Sequence, residues 1–264
     1  MRTSRPDARA GQRAGPAAAG RVQKYRRAMV LSAGLGLRMR PLSEHVPKPL
    51  IPVAGKAMLD HALDHLAAAG VTDCVVNIHY KGAMIASHLE GRRRPRIHLV
   101  RLPELLETGG GVKWALPRLG RRPFFVVNAD ALWRDGLDPA LARLARAWDT
   151  ARMDALLLLQ AKASAVGYEG SGDYFLGPRG DLSRRGEAET APFVFTGVQL
   201  LHPRLLAGAP DGPFSLVLLY DRAQAKGRLF GLVHEGDWFH VGTPEGLKRA
   251  EKFLRAGGAS EARG

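Results

Sequence analysis

From residue 28 onward the chain alternates short, continuous apolar runs with longer stretches in which apolar residues recur at three- and four-residue spacing. The runs over 28–33, 74–79, 97–102, 124–128 and 155–159 have the length and uninterrupted apolarity of strands covered on both faces. The stretches over 58–69, 83–89, 111–116 and 139–148 predict helices between them. Alternation of the two gives βαβ units and a doubly wound, mostly parallel sheet of the Rossmann-like α/β class. After Gln160 the pattern changes, and Gly167, Gly170, Gly172, Gly177, Pro178 and Gly180 punctuate short segments. These predict hairpins that form a small β-rich cover over one end of the sheet. A strand over 228–234 and a closing helix over 244–254, with Pro244 in its first turn, restore the alternation. The expected folded unit is a single domain over 28–256, followed by a flexible tail at 257–264. The stretch after Gly242 is too short for an appended repeat domain.

Composition changes this picture in one respect. With 264 residues, 45% hydrophobic and 24% charged, the chain has enough apolar surface for one substantial core. Its net charge of +14 invites a nucleic-acid reading, but residues 1–27 carry eight Lys/Arg against one Asp, half the excess in a tenth of the chain. That Arg/Ala/Gly/Pro-rich segment has no hydrophobic periodicity and no apolar centre of a secretory signal, so it reads as a disordered basic extension. Met29 could itself serve as the start, and an arm for RNA or anionic lipid is the competing use. The body lacks interleaved basic and aromatic residues, which argues against nucleic acid as a partner. A lone Cys74 excludes an internal disulfide and points to a reducing cytoplasm. No Cys/His group has zinc spacing, and no apolar run approaches the roughly 18 residues of a membrane-spanning helix.

In an open α/β sheet the loop after the first strand lies where ligands bind. Here it reads Leu31-Ser-Ala-Gly-Leu-Gly-Leu-Arg-Met-Arg-Pro-Leu, with Gly34, Gly36 and Arg38. A dinucleotide fingerprint would need glycine where Met39 stands and an acid near Asn77 or His79; a Walker A loop would need Gly-Lys-Ser/Thr. Both fail. What is left is a glycine loop open to phosphate oxygens with its own cation, Arg38, followed by Pro47-Lys48-Pro49-Leu50, in which two prolines hold Lys48 in an extended backbone. Asp130 closes the 124–128 strand, well placed for a divalent cation. His61, His65, His88 and His98 fall on helix or strand faces with no chemical role.

The combined order Gly34-x-Gly36-x-Arg38-Met39-x-Pro41-Leu42 and Pro47-Lys48-Pro49-Leu50 resembles the signature of the sugar-1-phosphate nucleotidyltransferases. So do Glu107-Thr-Gly-Gly-Gly111, Asn128-Ala-Asp130, Phe195-Thr-Gly197 and Trp238-x-x-Val-Gly-Thr243. The resemblance implies transfer of a nucleotidyl group from a nucleoside triphosphate to a sugar 1-phosphate, with release of pyrophosphate. It makes Arg38 and Lys48 the catalytic cations and puts the nucleotide on Leu31, Ala33, Gly34, Gly36, Glu107, Thr108 and Gly109. The sugar falls to Asn128, Asp173, Thr196 and Gly197, and the metal to Asp130 and His240. The family carries an Asp where this chain has His240, so Mg²⁺ is the expected cofactor with Mn²⁺, Zn²⁺ or Co²⁺ as alternatives if His240 is a ligand; His240 could instead bond a phosphate or water or be a satisfied core histidine, with Asp130 alone anchoring the metal and Asp237 helping from a distance. Within the family, the short single-domain form with its Glu-Thr-Gly-Gly-Gly loop is similar to the branch that joins UTP to N-acetylmuramic acid α-1-phosphate in peptidoglycan recycling. A mannose-1-phosphate or heptose-1-phosphate guanylyltransferase, or a non-catalytic nucleotide-sugar binding protein, are the alternatives. The resemblance further implies a monomer or weak dimer with small-molecule partners.

Overall fold

The computed structural model describes residues 25–261, with side chains through residue 256. Most of the extension expected at 1–27, and the end of the expected tail, lie outside the described residues. In chain order the elements are β1 (Arg27–Leu31), α1 (Leu42–His45), β2 (Pro52–Val53), β3 (Lys56–Ala57), α2 (Met58–Ala68), β4 (Asp73–Ile78), α3 (Gly82–His88), β5 (Arg96–Arg101), α4 (Glu107–Leu119) and β6 (Phe124–Asn128). There follow β7 (Leu132–Arg134), α5 (Ala140–Ala147), β8 (Ala155–Ala161), β9 (Tyr174–Leu176), β10 (Leu182–Arg184), β11 (Phe193–Leu201), α6 (Leu216–Ala225), β12 (Leu229–Val233), β13 (Asp237–Phe239) and α7 (Pro244–Glu261).

The sheet runs β10-β9-β11-β6-β1-β4-β5, with β8 paired to β11 and β12 to β8. Ladders β5–β4, β4–β1, β1–β6 and β8–β12 are parallel, and β11 is antiparallel to both β6 and β8. Alternate residues of each central strand enter opposite layers, as the two-residue strand period requires. Ala28, Val30, Phe125 and Val127 pack with α2, α3 and α5 on one face. Met29, Phe124 and Val126 pack with α4 and α6 on the other. A smaller cluster, with Met39, Ile51, Phe239 and Leu247, fastens α7 to the loop after β1. The expected α/β sandwich is present, and the β9–β10 hairpin supplies the expected small β cover. Among the described residues no helix is long and apolar enough to cross a membrane.

Two boundaries differ from expectation. Helix α7 continues to Glu261 through the expected tail, because no proline stops it and each added residue closes another backbone bond. At the other end Tyr25, assigned by sequence to the extension, is buried with its ring 6.2 Å from that of Phe125, and the Arg26 carbonyl accepts the Thr72 and Asp73 N–H groups. Residues 25–27 therefore pack with the sheet. A chain begun at Met29 loses the Tyr25 side chain and the first two residues of β1. Compared with one begun at Lys24, it is expected to melt on the order of 10 °C lower, which calorimetry of the two chains would measure.

Candidate active site

The carboxyl ends of β1, β4 and β6 open onto a cavity of about 650 Å³. Its floor is built by the loop after β1. The Ser32 N–H donates to Asn77 Oδ1 at 2.8 Å and its hydroxyl donates to the Asn77 carbonyl, which pins the loop to the end of β4. Gly36 adopts φ 66°, and a Cβ there would stand 3.0 Å from the Lys48 Cβ and 3.3 Å from that of Ser43. The Ser43 hydroxyl donates to the Gly36 carbonyl at 2.8 Å, closing the turn over that missing side chain. Gly34 faces open space, so its backbone is free to be approached. One turn of 3₁₀ helix, Leu37–Met39, then sends Met39 into the core and leaves Arg38 on the cavity wall.

Opposite Arg38 stands Lys48. Its backbone is not the extended segment the flanking prolines suggested: Pro47 is extended, but Lys48–Leu50 form a second 3₁₀ turn, closed by bonds from Leu50 N–H to the Pro47 carbonyl and from Ile51 N–H to the Lys48 carbonyl. The Lys48 ammonium donates to Asp130 Oδ2. Burial works against the Asp130 charge, but Lys48, and more weakly Arg38, outweigh it and hold the carboxyl below its ordinary range. Asp130 is thus an anion at neutral pH between two cations.

A second cavity, of about 310 Å³, shares Thr108, Asn128 and Ser215 with the first and continues toward the β9–β10 hairpin. Asp173 lines it, with Oδ2 accepting the Phe195 N–H at 2.9 Å. Thr196 and Gly197 do not line it. Thr196 is buried, donating its hydroxyl to the Leu158 carbonyl at 2.9 Å and accepting the Trp238 indole N–H at 3.0 Å. Gly197, at φ 83°, lies in the break of register between Phe195 and Gln199, and a Cβ there would meet Asn128 Nδ2 at 2.9 Å. The pair shapes the seat of Asn128 from behind. Gly109 is likewise outside the lining: its N–H donates to the Phe214 carbonyl at 2.8 Å.

The nucleotidyl transferase family matches residues 27–168. The chain belongs to this family. It is 45% identical over 232 residues to N-acetylmuramate alpha-1-phosphate uridylyltransferase of Caulobacter vibrioides, covering 86% of this chain and 96% of that one. The protein of the same name from Neisseria meningitidis is 34% identical over 235 residues, 87% of this chain and 99% of its own. A crystal structure of UDP-glucose pyrophosphorylase complexed with UDP-glucose superposes with a TM-score of 0.73 at 16% identity, covering 88% of this chain and 99% of the other, and so shares the fold.

In this nucleotidyltransferase, Leu31, Ala33, Gly34, Gly36, Arg38, Lys48, Glu107, Thr108, Asn128 and Asp130 all line the larger cavity. Sequence reasoning passed over Ser215, which joins the two cavities and caps α6 by accepting the Val217 N–H. A Ser directly before an apolar run was the available signal. Asn77, dismissed for not being an acid, anchors the loop after β1 instead. Asp237 is taken up by Arg134, at 2.6 and 3.0 Å, and is withdrawn from the cavity. His61 bonds the Val53 carbonyl, His65 stacks on Trp133, and His88 and His98 bond Asp60 and Asp73, all structural contacts.

His240 sits edge-on to Tyr168, with ring centroids 5.7 Å apart, and Gly242 leaves room for its Nε2. Burial, then the Arg38 and Lys48 charges, lower its pKa and keep the imidazole neutral. Burial also lowers His61, His202 and His234. A histidine with a depressed native pKa binds protons more readily when unfolded, so its contribution to stability is present above the unfolded pKa of about 6.5 and lost below it. The Tm at pH 5 is therefore expected to lie below that at pH 7.5, and His234→Asn should narrow the gap.

Proposed function

We propose that this nucleotidyltransferase joins UTP to N-acetylmuramic acid α-1-phosphate, giving UDP-N-acetylmuramic acid and pyrophosphate. The observation that carries the chemistry is the pair of confluent cavities, a glycine-loop site with Arg38 and Lys48 in its wall opening into a polar site beside Asp173. The two relatives named as uridylyltransferases support the choice of base and sugar. A phosphate oxygen of the sugar attacks the α-phosphorus, and the bond to the β-phosphate oxygen breaks. The protein contributes position and charge rather than a nucleophile. Arg38 neutralises the departing pyrophosphate; Lys48, aimed by Asp130, contacts the phosphate undergoing substitution. Backbone N–H groups of residues 33–36 face the triphosphate, and Glu107 and Thr108 border the base.

Among the described residues no three His, Cys, Asp or Glu side chains gather into a cage. The donor set fits an ion of the Mg²⁺ type all the same, because such an ion keeps its waters and is held by one or two carboxylates together with substrate phosphates. Asp130 would hold it; His240 lines neither cavity. When bound, the ion supplies further neutralisation of the phosphate charge. We place the reaction in the cytoplasm, in the reuse of cell-wall sugars.

The test is pyrophosphate release from UTP, CTP, GTP, ATP and dTTP, each with N-acetylmuramic acid, N-acetylglucosamine, glucose or mannose 1-phosphate, in Mg²⁺ and in Mn²⁺. Release confined to UTP with the muramic acid derivative is expected. Preference for GTP with mannose 1-phosphate would replace the substrate and keep the chemistry, and no release in either metal would overturn both.

A further inference from the structure

The second cavity holds a cation that makes no ion pair among the described residues. Arg184 and Arg185 both line it, but they differ in what their guanidinium groups meet. Arg184 is neutralised outside it, donating to both carboxylate oxygens of Asp221 at 2.8 and 3.0 Å. Arg185 donates from Nε to the Gly172 carbonyl at 3.1 Å and from Nη1 to the Ala188 carbonyl at 2.7 Å, and forms no ion pair among the described residues. Two backbone carbonyls thus fix its plane without cancelling its charge, and Nη2 remains to donate.

The ledge that carries it is stiff. The Arg185 N–H donates to the Asp173 carbonyl at 2.7 Å, the Gly172 N–H to the Tyr168 hydroxyl at 3.1 Å and the Ala191 N–H to the Ser171 carbonyl at 2.7 Å. A Cβ on Gly172 would fall 2.0 Å from the Ala191 carbonyl oxygen, which locks the 170s turn onto its neighbour. At the cavity floor the wholly buried Gln199 accepts the Tyr220 hydroxyl at 2.6 Å and keeps Nε2 without a partner among the described residues. The cavity therefore presents an acceptor at Asp173 and a rigid cation at Arg185.

We infer that Arg185 is the specificity residue of the sugar site, pairing with a carboxylate carried by the sugar. The inference rests on the proposed substrate: N-acetylmuramic acid differs from N-acetylglucosamine by a lactyl ether that ends in a carboxylate. An oriented guanidinium that lacks a carboxylate partner is the group such a substituent requires, and a fork of N–H donors holds it better than a flexible ammonium. Asp173 would repel the same carboxylate, so the sugar enters with its hydroxyls or amide toward Asp173 and its acid toward Arg185. A neutral sugar leaves Arg185 unpaired and is disfavoured on that account.

The experiment compares N-acetylmuramic acid α-1-phosphate with its lactyl methyl ester, which keeps the bulk and removes the charge, in the wild type and in Arg185→Gln. The wild type should prefer the acid by about 10- to 100-fold in kcat/KM, mostly through KM, as expected for a charge-assisted pair. Arg185→Gln should take acid and ester alike, and Arg185→Lys should recover part of the preference. Equal losses on both substrates would assign Arg185 a merely structural part and overturn the inference, as would an unchanged preference in Arg185→Gln. Calorimetric binding of UDP-N-acetylmuramic acid against UDP-N-acetylglucosamine reads the same discrimination without turnover. If wild-type enzyme ignores the muramic acid substrate altogether, the substrate assignment fails and the inference with it; a wild type that uses the acid while Arg185→Gln keeps its preference sinks the inference alone.

Discussion

Lys48→Ala is expected to lower kcat/KM by about three orders of magnitude while moving Tm by no more than a few degrees. The reasoning starts from what the ammonium touches. It lines the larger cavity and donates to Asp130; on the proposed function its removal withdraws one positive charge from the place where negative charge would redistribute between the α-phosphate and the departing pyrophosphate. Preorganised charge at such a position is worth roughly 10²- to 10⁵-fold in enzymes of phosphoryl and acyl transfer. The fold depends on Lys48 little, since its backbone turn is closed by main-chain bonds and Asp130 is partly open to water. Without Lys48, burial acts on the Asp130 carboxyl against only a backbone hydrogen bond and the weaker pull of Arg38, so the acid limb of the pH–rate profile should move upward. A Lys48→Ala enzyme within tenfold of wild type would remove Lys48 from the reaction.

The gathering of the glycine loop, Arg38 and Lys48 around one cavity was legible in the sequence because its parts are short-range. Gly34, Gly36, Arg38 and Lys48 lie within fifteen positions, and each local feature, a left-handed turn or a proline boundary, constrains where the next can go. Asp130 is farther off in sequence, yet it terminates a strand that pairs directly with β1, so the topology alone brings the two together. The sugar side was less legible for the opposite reason. β11 reads as an interrupted apolar segment because Gly197 stands in its middle, and only tertiary pairing shows that the glycine marks a bulge that lets the strand serve β6 and β8 at once. Thr196 looked like a ligand because it is polar beside a glycine. Its hydroxyl in fact satisfies a buried carbonyl, a demand that depends on which strand lies alongside. The charge state of Arg185 escaped for the same reason: that Arg184 has a carboxylate and Arg185 has none is settled by Asp221 of α6, far along the chain.

The triple glycine of α4 gives the second large effect. Sequence reasoning connected Gly109 with the nucleotide, but the structure uses all three glycines for close approach. A Cβ on Gly109 would lie 2.3 Å from the Phe214 ring, one on Gly110 2.4 Å from the Gly212 carbonyl oxygen, and one on Gly111 2.9 Å from Asn77 Nδ2. For Gly110 the obstacle is backbone, which cannot swing aside as a side chain can. Gly110→Ala gains at most about 1 kcal/mol of helix propensity and must displace either α4 or the 212–215 segment, a cost of about 3 kcal/mol by analogy with overpacked cores. A fall in Tm of about 5 °C is expected. Because the Leu216 N–H donates to the Thr108 hydroxyl at 2.9 Å, the displacement also parts Thr108 from Ser215 at the junction of the cavities, and KM for both substrates should rise. Gly34→Ala makes the contrast. Its Cβ would meet nothing within 4 Å, so Tm should hold while the new methyl group stands where the triphosphate approaches the loop, lowering kcat/KM. Calorimetry and steady-state kinetics on the pair test whether glycine in α4 serves packing and glycine in the loop serves the ligand; equal Tm values for Gly110→Ala and wild type, or undiminished kinetics in Gly34→Ala, would reverse that division.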